Sequence, residues 1–298
     1  MCYLLNITSS SQRFLLDIAT SAGPRQLPIT HAYLTLESRE SRIILSDFQF
    51  GKSSVLHTSA AVLFAGIIDG RDVLFLHGNP SQVYETEVLL KGKPNGIRTQ
   101  SGKVKTTEAL GGRTLVTFMR GITGLVTVWD SDQQLVLYSD SMTAETFYVP
   151  TISLSDGPFR NYWQFGTNST ILIGGPHLVR SASFNQDQLE LRGDLKESTR
   201  LTIIGISGVR RITWNGSPIT ADLGTLASGI FSIPLEMRKD LVGFEPPTLG
   251  PWKYHDSLPE IGREYDDGDW INPTRTHTLA PKPLYGDGTV LYGCDYGL

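Results

Sequence analysis

The chain has 298 residues, of which 40% are hydrophobic and 19% are charged, and its formal net charge at pH 7 is −4. This length allows one large domain or two to three smaller ones that each bury a core. The negative charge and the shortness of the basic runs exclude an electrostatic surface for nucleic acid. No apolar run approaches the ~20 residues that a membrane helix needs. We therefore expect neither nucleic acid nor a membrane as a partner.

The N-terminal segment Met1–Thr8 lacks a basic region, a long apolar region and a small-residue cleavage site, so it predicts no secretion signal. The two cysteines, Cys2 and Cys294, form no CxxC pair, and the six histidines show no i, i+4 pairing. These spacings indicate neither a zinc site nor a disulfide framework. We predict no metal and no cofactor, with the histidines scattered over surface or half-buried positions.

Short β-branched or aromatic runs alternate with glycine and asparagine turn signals in the first half of the chain. Their spacing of about 8–12 residues is typical of an all-β protein, and helical periodicity is almost absent. The sequence therefore predicts a large antiparallel β domain and excludes a (β/α)8 barrel, whose strands alternate with helices. The predicted strands are Arg42–Phe50, Asp72–His77, Thr114–Phe118, Gly124–Trp129 and Gln134–Tyr138.

Two further segments follow this large domain. A boundary at Gly174-Gly-Pro176 separates residues 1–173 from a smaller β domain at residues 174–245, in which Asn215-Gly216 lies between apolar runs. Because asparagine and glycine both accept a positive φ, this pair predicts a β-hairpin. The last segment, residues 246–298, begins within a proline-rich linker that favours an extended spacer.

Several motifs occur in an order that is similar to one known family. The most specific is Trp252–Trp270, which combines aromatic residues, Leu-Pro-Glu-Ile and a run of acids. The motifs that precede it are Thr20-Ser-Ala-Gly23, Phe75-Leu-His-Gly-Asn-Pro80, Phe147-Tyr-Val-Pro150 and Gly175-Pro-His-Leu-Val-Arg-Ser-Ala182. Together they resemble the fungal-type β-galactosidases of glycoside hydrolase family 35, and the resemblance covers nearly the whole chain.

The resemblance implies that the chain comprises domain two, a small β-sandwich as domain three, and the start of a jelly-roll domain four. The family hydrolyses terminal non-reducing β-D-galactose residues with two glutamates of a catalytic barrel. Those glutamates would precede Met1, so no residue here inherits a catalytic role. We therefore expect a fragment or a truncated gene product that is inactive alone.

The resemblance also bears on partners and location. A catalytic barrel supplied in trans and β-galactosides are the candidate partners. The family is typically secreted, and the location of a chain without a recognisable signal peptide therefore stays open.

The remaining candidate sites concern sugars. The sequons for N-glycosylation are headed by Asn6, Asn168 and Asn215. The aromatic candidates for stacking on a sugar are Trp163, Trp252 and Trp270, together with Trp214, although buried core aromatics are commoner. Exposed aromatic platforms would favour an independent carbohydrate-binding or interaction module as the alternative function. A concave pocket with two carboxylates of separated pKa would favour an enzyme with its own site.

Overall fold

The computed structural model describes residues 1–95, 102–149, 151–152, 169–185, 187–205, 209–219, 224–227 and 229–237, and beyond them residues 248, 250–251, 262–266 and 268. The chain divides into two compact units, Met1–Val242 and Gly243–Leu298. Most of the second unit, with the predicted start of a jelly roll, lies outside the described residues. Within the described residues, no helix is long and apolar enough to cross a membrane.

Five short strands open the chain, and they are Cys2–Leu5 (β1), Gln12–Phe14 (β2), Leu16–Thr20 (β3), Gly23–Leu27 (β4) and Leu34–Leu36 (β5). The predicted turn Thr20-Ser-Ala-Gly23 closes the β3–β4 hairpin, in which Thr20 pairs with Gly23. Apolar residues of this region, among them Leu27 and Leu34, form a small core with Ile44. The N-terminal strands are thereby attached to the sheet that follows.

Nine strands follow, and they are Ser41–Phe50 (β6), Ser53–Thr58 (β7), Ala61–Ile68 (β8), Arg71–Gly78 (β9), Tyr84–Val88 (β10), Val104–Glu108 (β11), Thr114–Phe118 (β12), Leu125–Asp130 (β13) and Gln134–Asp140 (β14). The described helical elements are the 3-10 turn Leu110–Gly112 and the helix Ser141–Glu145 (α1). Asp140 caps α1 by accepting a hydrogen bond from the Thr143 backbone N–H.

Two sheets of this region pack face to face. One has the strand order β1-β6-β7-β10-β12-β11, and the other has the order β13-β14-β9-β8. Phe50, Tyr84 and Phe118 of the first sheet share one buried core with Leu76 and Tyr138 of the second. The Phe118 and Tyr138 rings stack with their centroids 4.0 Å apart. The arrangement is a β-sandwich whose inner faces are apolar.

The central strands β9 and β14 are buried on both faces. Leu74 of β9 faces the core between the sheets, whereas its neighbours Val73 and Phe75 lie in a second cluster with Leu172 and Ile204, which follow α1 in the chain. The two strands pair in parallel, as strands covered on both faces often do. The predicted all-β fold is confirmed. The antiparallel pattern has two exceptions among the described strands, this pair and the parallel pair of Gln188–Asp194 with Arg211–Trp214.

Ten strands follow α1, and they are Thr151–Ile152 (β15), Ser169–Thr170 (β16), Leu172–Gly174 (β17), Leu178–Asn185 (β18), Gln188–Asp194 (β19), Thr199–Ile204 (β20), Arg211–Trp214 (β21), Ser217–Pro218 (β22), Gly224–Ala227 (β23) and Ile230–Leu235 (β24). Eight of them form two four-stranded sheets, with orders β17-β20-β24-β23 and β18-β19-β21-β22. Residues from both sheets share one buried core, including Leu189, Leu201 and Ile233. The smaller sandwich thus has its own hydrophobic core.

The predicted Asn-Gly hairpin is confirmed between β21 and β22, where Trp214 pairs with Ser217. Asn215 and Gly216 both adopt positive φ, 50° and 81°, as a two-residue hairpin turn of this sequence requires. The predicted domain boundaries at 173/174 and 245/246 stay predictions.

Candidate functional site

A cluster of buried titratable side chains lies on the outer face of the six-stranded sheet. Successive residues of a strand point to opposite faces, so Tyr84 and Val88 of β10 enter the core while Glu85 and Glu87 share the other face. His57 of β7 lies opposite Glu87 in the ladder. All three polar side chains are buried, because residues 25–31 cross over this face. We call residues 25–31 the N-terminal strap.

The strap is held by Glu85. The carboxylate of Glu85 accepts hydrogen bonds from the backbone N–H groups of Ile29, at 2.6 Å, and Thr30, at 2.5 Å, and from the Thr30 hydroxyl. His31 Nδ1 lies 3.1 Å from Glu85 Oε1. Burial alone would raise the pKa of Glu85, but the hydrogen bonds from His31, Thr30 and Ile29 lower it to about 2. Glu85 is therefore a fixed anion over the physiological pH range.

The second carboxylate, Glu87, is less completely satisfied. Its Oε2 lies 3.6 Å from His57 Nδ1 and 3.8 Å from Arg25 Nε of the strap. Neither ring nitrogen of His57 makes a hydrogen bond, and Glu87 Oε1 also has no partner among the described residues. Burial lowers the pKa of His57 to about 4; the negative charge of Glu85 opposes this shift and the positive charge of Arg25 adds to it. His57 is therefore neutral near pH 7.

These five residues, Arg25, His31, His57, Glu85 and Glu87, form what we call the carboxylate clamp. A general acid or base must reach the proton it transfers and titrate near the working pH. Glu85 titrates far below that pH, and its oxygens are occupied by strap donors. The clamp is suited to fastening the strap to the sheet and not to acid–base catalysis.

The carboxylate clamp was not predicted from the sequence. The expectation that all six histidines occupy surface or half-buried positions is wrong for His57, which is fully buried. A signal did exist, since His57 directly follows the apolar pair Val55-Leu56 and since Glu85 and Glu87 are two residues apart in one strand. Among the described residues, no group of three or more His, Cys, Asp or Glu side chains is placed to hold a metal ion.

Two of the predicted glycosylation sites lie in described residues, and Asn168 lies outside them. Asn6 is 4% exposed, and its Nδ2 donates to the carbonyls of Ser10 and Glu37, both at 2.8 Å. Asn215 is exposed in its hairpin turn. Its Nδ2 donates to the Gly193 carbonyl at 2.9 Å, which leaves its second N–H unused by that bond.

The sugar-stacking candidates Trp163, Trp252 and Trp270 lie outside the described residues. Trp214 borders a groove of about 770 Å³, but it is only 7% exposed and belongs to the core of the smaller sandwich. For Trp214, the core role is the one that the structure supports.

A continuous row of exposed apolar side chains lies on the edge strand β1. Tyr3 and Leu5 are 61% and 56% exposed, and Ile7 just beyond the strand is 81% exposed. Ile43 of β6 pairs with Tyr3 and is 46% exposed, and directly paired residues point to the same face of a sheet. We call Tyr3, Leu5, Ile7 and Ile43 the apolar row.

The described residues of Met1–Val242 form two stacked β-sandwiches, which places them in the class of all-β proteins. Comparison with known proteins agrees, since residues 6–147 match the family model for β-galactosidase domain 2 and residues 148–227 match the model for β-galactosidase domain 3. The chain therefore belongs to the β-galactosidase family and carries its domains 2 and 3.

Curated relatives show the same relationship. The chain is 33% identical over 289 residues to a probable β-galactosidase C of Talaromyces marneffei, covering 95% of this chain and 27% of the relative. It is 33% identical over 300 residues to a probable β-galactosidase C of Aspergillus oryzae, covering 97% and 28%. A probable β-galactosidase B of Neosartorya fischeri is 31% identical over 302 residues, covering 96% and 27%. The chain thus spans less than a third of the length of these relatives.

Proposed function

We propose that this region is a non-catalytic accessory β-domain part of a β-galactosidase, an enzyme that hydrolyses terminal non-reducing β-D-galactose residues, and that it does not catalyse this reaction alone. The matches to domains 2 and 3 support the family assignment. The carboxylate clamp supports the proposed lack of activity, because its two buried carboxylates, Glu85 and Glu87, contact the strap and fasten it to the sheet.

The apolar row is the observation that carries the accessory role. In β1, Cys2 and Leu4 pack on the small N-terminal core, while Tyr3 and Leu5 on the opposite face are exposed. Strands that are apolar on both faces are typically covered on both faces. Clustered exposed apolar residues mark interaction sites. We infer that the apolar row packs against the catalytic part of a β-galactosidase.

Two measurements test this proposal. The purified chain is assayed with o-nitrophenyl β-galactoside, and we expect no turnover. A chimera of the Aspergillus oryzae relative, in which this chain replaces the segment that aligns with it, is expected to hydrolyse the same substrate. The double substitution Tyr3→Ser and Leu5→Gln should shorten the half-life of that activity on heating, because it removes apolar contact area from the interface.

The matched control is Ile67→Gln, since Ile67 is also half-exposed and apolar but lies on β8 of the other sheet. Turnover by the isolated chain would contradict the proposed lack of activity. An inactive chimera, or a doubly substituted chimera as heat-resistant as the Ile67→Gln control, would contradict the docking role of the apolar row.

We also propose that Asn215, and not Asn6, carries a glycan when the chain passes through a secretory pathway. N-glycosylation replaces one hydrogen of the asparagine Nδ2. Asn215 would keep the other for its bond to Gly193, whereas the buried Asn6 amide needs its hydrogens for Ser10 and Glu37. Mass spectrometry of glycopeptides after expression in a eukaryotic secretory host tests this, and a glycan on Asn6 in the folded chain would refute it.

A further inference from the structure

A small polar pocket lies beside the carboxylate clamp, between the loop that follows the strap and the loop that precedes β10. Its volume is about 190 Å³, below the roughly 300 Å³ at which sites for drug-sized ligands begin. The lining residues that matter below are His31, Tyr33, Glu37, Ser81, Gln82 and Arg120. None of them belongs to the apolar row.

A pocket of this size has room for one small ring-shaped ligand. Its residues come from three separate parts of the chain, so only the folded domain forms it.

The wall formed by Gln82 is fixed by the partly buried ion pair between Arg42 and Glu40. Gln82 is 5% exposed, and its Oε1 accepts a hydrogen bond from Arg42 Nη2. Its Nε2 donates to Glu40 Oε2 at 3.1 Å, and Arg42 Nε donates to Glu40 Oε1, also at 3.1 Å. Since an amide nitrogen carries two hydrogens and an amide oxygen has two lone pairs, Gln82 keeps one donor and one acceptor position beyond these bonds.

His31 is oriented by its bond to the carboxylate clamp. Its Nδ1 lies 3.1 Å from Glu85 Oε1, and an ionised carboxylate only accepts hydrogen bonds, so Nδ1 carries the proton. The other ring nitrogen, Nε2, is not used by this bond. Tyr33 is half-buried, and the Arg13 guanidinium lies 4.5 Å from the centroid of its ring, which holds the ring in place.

We propose that this pocket binds one monosaccharide-sized polyol through Gln82, His31, Glu37 and Arg120. Sugar hydroxyls both donate and accept hydrogen bonds, and the pocket offers both kinds of group. Glu37 and Arg120 bring one negative and one positive charge, so the lining favours a neutral polar ligand over an anion or a cation. This binding does not depend on the docking of the apolar row.

The test uses the full chain, with D-galactose and D-glucose as probes and inorganic phosphate as the anionic comparison. Ligand-observed NMR titration at millimolar concentrations is suited to a small site of this kind. We expect saturable binding of at least one sugar, and a loss of affinity of about tenfold in Arg120→Ala and in Glu37→Ala, which each remove charged hydrogen-bonding groups. Both residues are exposed, so both variants should stay folded, as circular dichroism would show.

The matched control is Lys105→Ala, an exposed cation on β11 outside the pocket, which should bind sugar as the wild type does. Absence of sugar binding, binding unchanged in both pocket variants, or a preference for phosphate over both sugars would overturn the proposal. The apolar-row variants leave the pocket residues intact, so the experiments distinguish a failure of docking from a failure of sugar binding.

Discussion

Replacing His57 with leucine should make the first sandwich less sensitive to acid. The pKa of His57 is lowered from its ordinary value of 6.5 to about 4, chiefly because the ring is buried. The unfolded chain therefore takes up this proton before the folded chain does, and stability is lost as the pH falls from 6.5 towards 4. Above pH 6.5 the ring is neutral in both states, and this effect on stability is absent.

The size of the effect follows from the two pKa values. At pH 5, the difference in proton uptake lowers the free energy of unfolding by about 2 kcal/mol, and the limit below pH 4 is about 3 kcal/mol. His57→Leu removes this contribution. At pH 7 the substitution should change stability by less than about 1 kcal/mol, because the ring makes no hydrogen bond that leucine would break.

The assay is urea unfolding at pH 7 and pH 5, followed by circular dichroism, with unchanged m-values as the check that the same transition is compared. Between pH 7 and pH 5, the free energy of unfolding should fall by about 2 kcal/mol more in the wild type than in His57→Leu. His177→Leu is the control, since His177 is exposed and lies outside the carboxylate clamp. Equal losses in wild type and His57→Leu would refute the reasoning.

Three further substitutions test the strap and the second sandwich. Glu85→Gln weakens the hold on the strap, so trypsin should cut after Arg25 faster than in wild type or in the exposed control Glu108→Gln, with a stability loss of about 1–3 kcal/mol in urea. Gly216→Ala should lower the free energy of unfolding by about 1 kcal/mol. The added Cβ meets no atom within 4 Å, so the loss comes from the positive φ of this position. Gly193→Ala should cost more, at least about 2 kcal/mol, because its Cβ would clash with a backbone carbonyl; equal melting temperatures for these two variants would contradict the distinction.

Local patterns were sufficient to predict much of the fold. The strand predicted at Arg42–Phe50 is observed at Ser41–Phe50, and the one at Thr114–Phe118 is observed with the same bounds. The Asn215-Gly216 turn was predictable because its conformation depends on only two residues. The parallel pairing of β9 and β14 was not predictable in this way, because it depends on which distant strands become neighbours.

The carboxylate clamp shows why the candidate site was harder to predict. In β10, Glu85 and Glu87 alternate with inward-facing residues, a pattern typical of a strand with one face in solvent. The strap that covers this face is far away in sequence: Glu85 and Ile29 are 56 residues apart. The hydrogen bonds that lower the pKa of Glu85 exist only once these segments meet.

The strands β10 and β1 depart from simple alternation in opposite ways. The outer face of β10 is polar and nevertheless covered, and the strap that covers it supplies hydrogen-bond donors and an arginine to match Glu85 and Glu87. The outer face of β1 is apolar and nevertheless exposed in the part of the chain that the structure describes. Burial of carboxylates is tolerated only with matched partners, so the first departure is explained within the chain. Within the described residues, nothing covers the exposed Tyr3 and Leu5. For this reason we connect the apolar row, and not the carboxylate clamp, with the rest of a β-galactosidase.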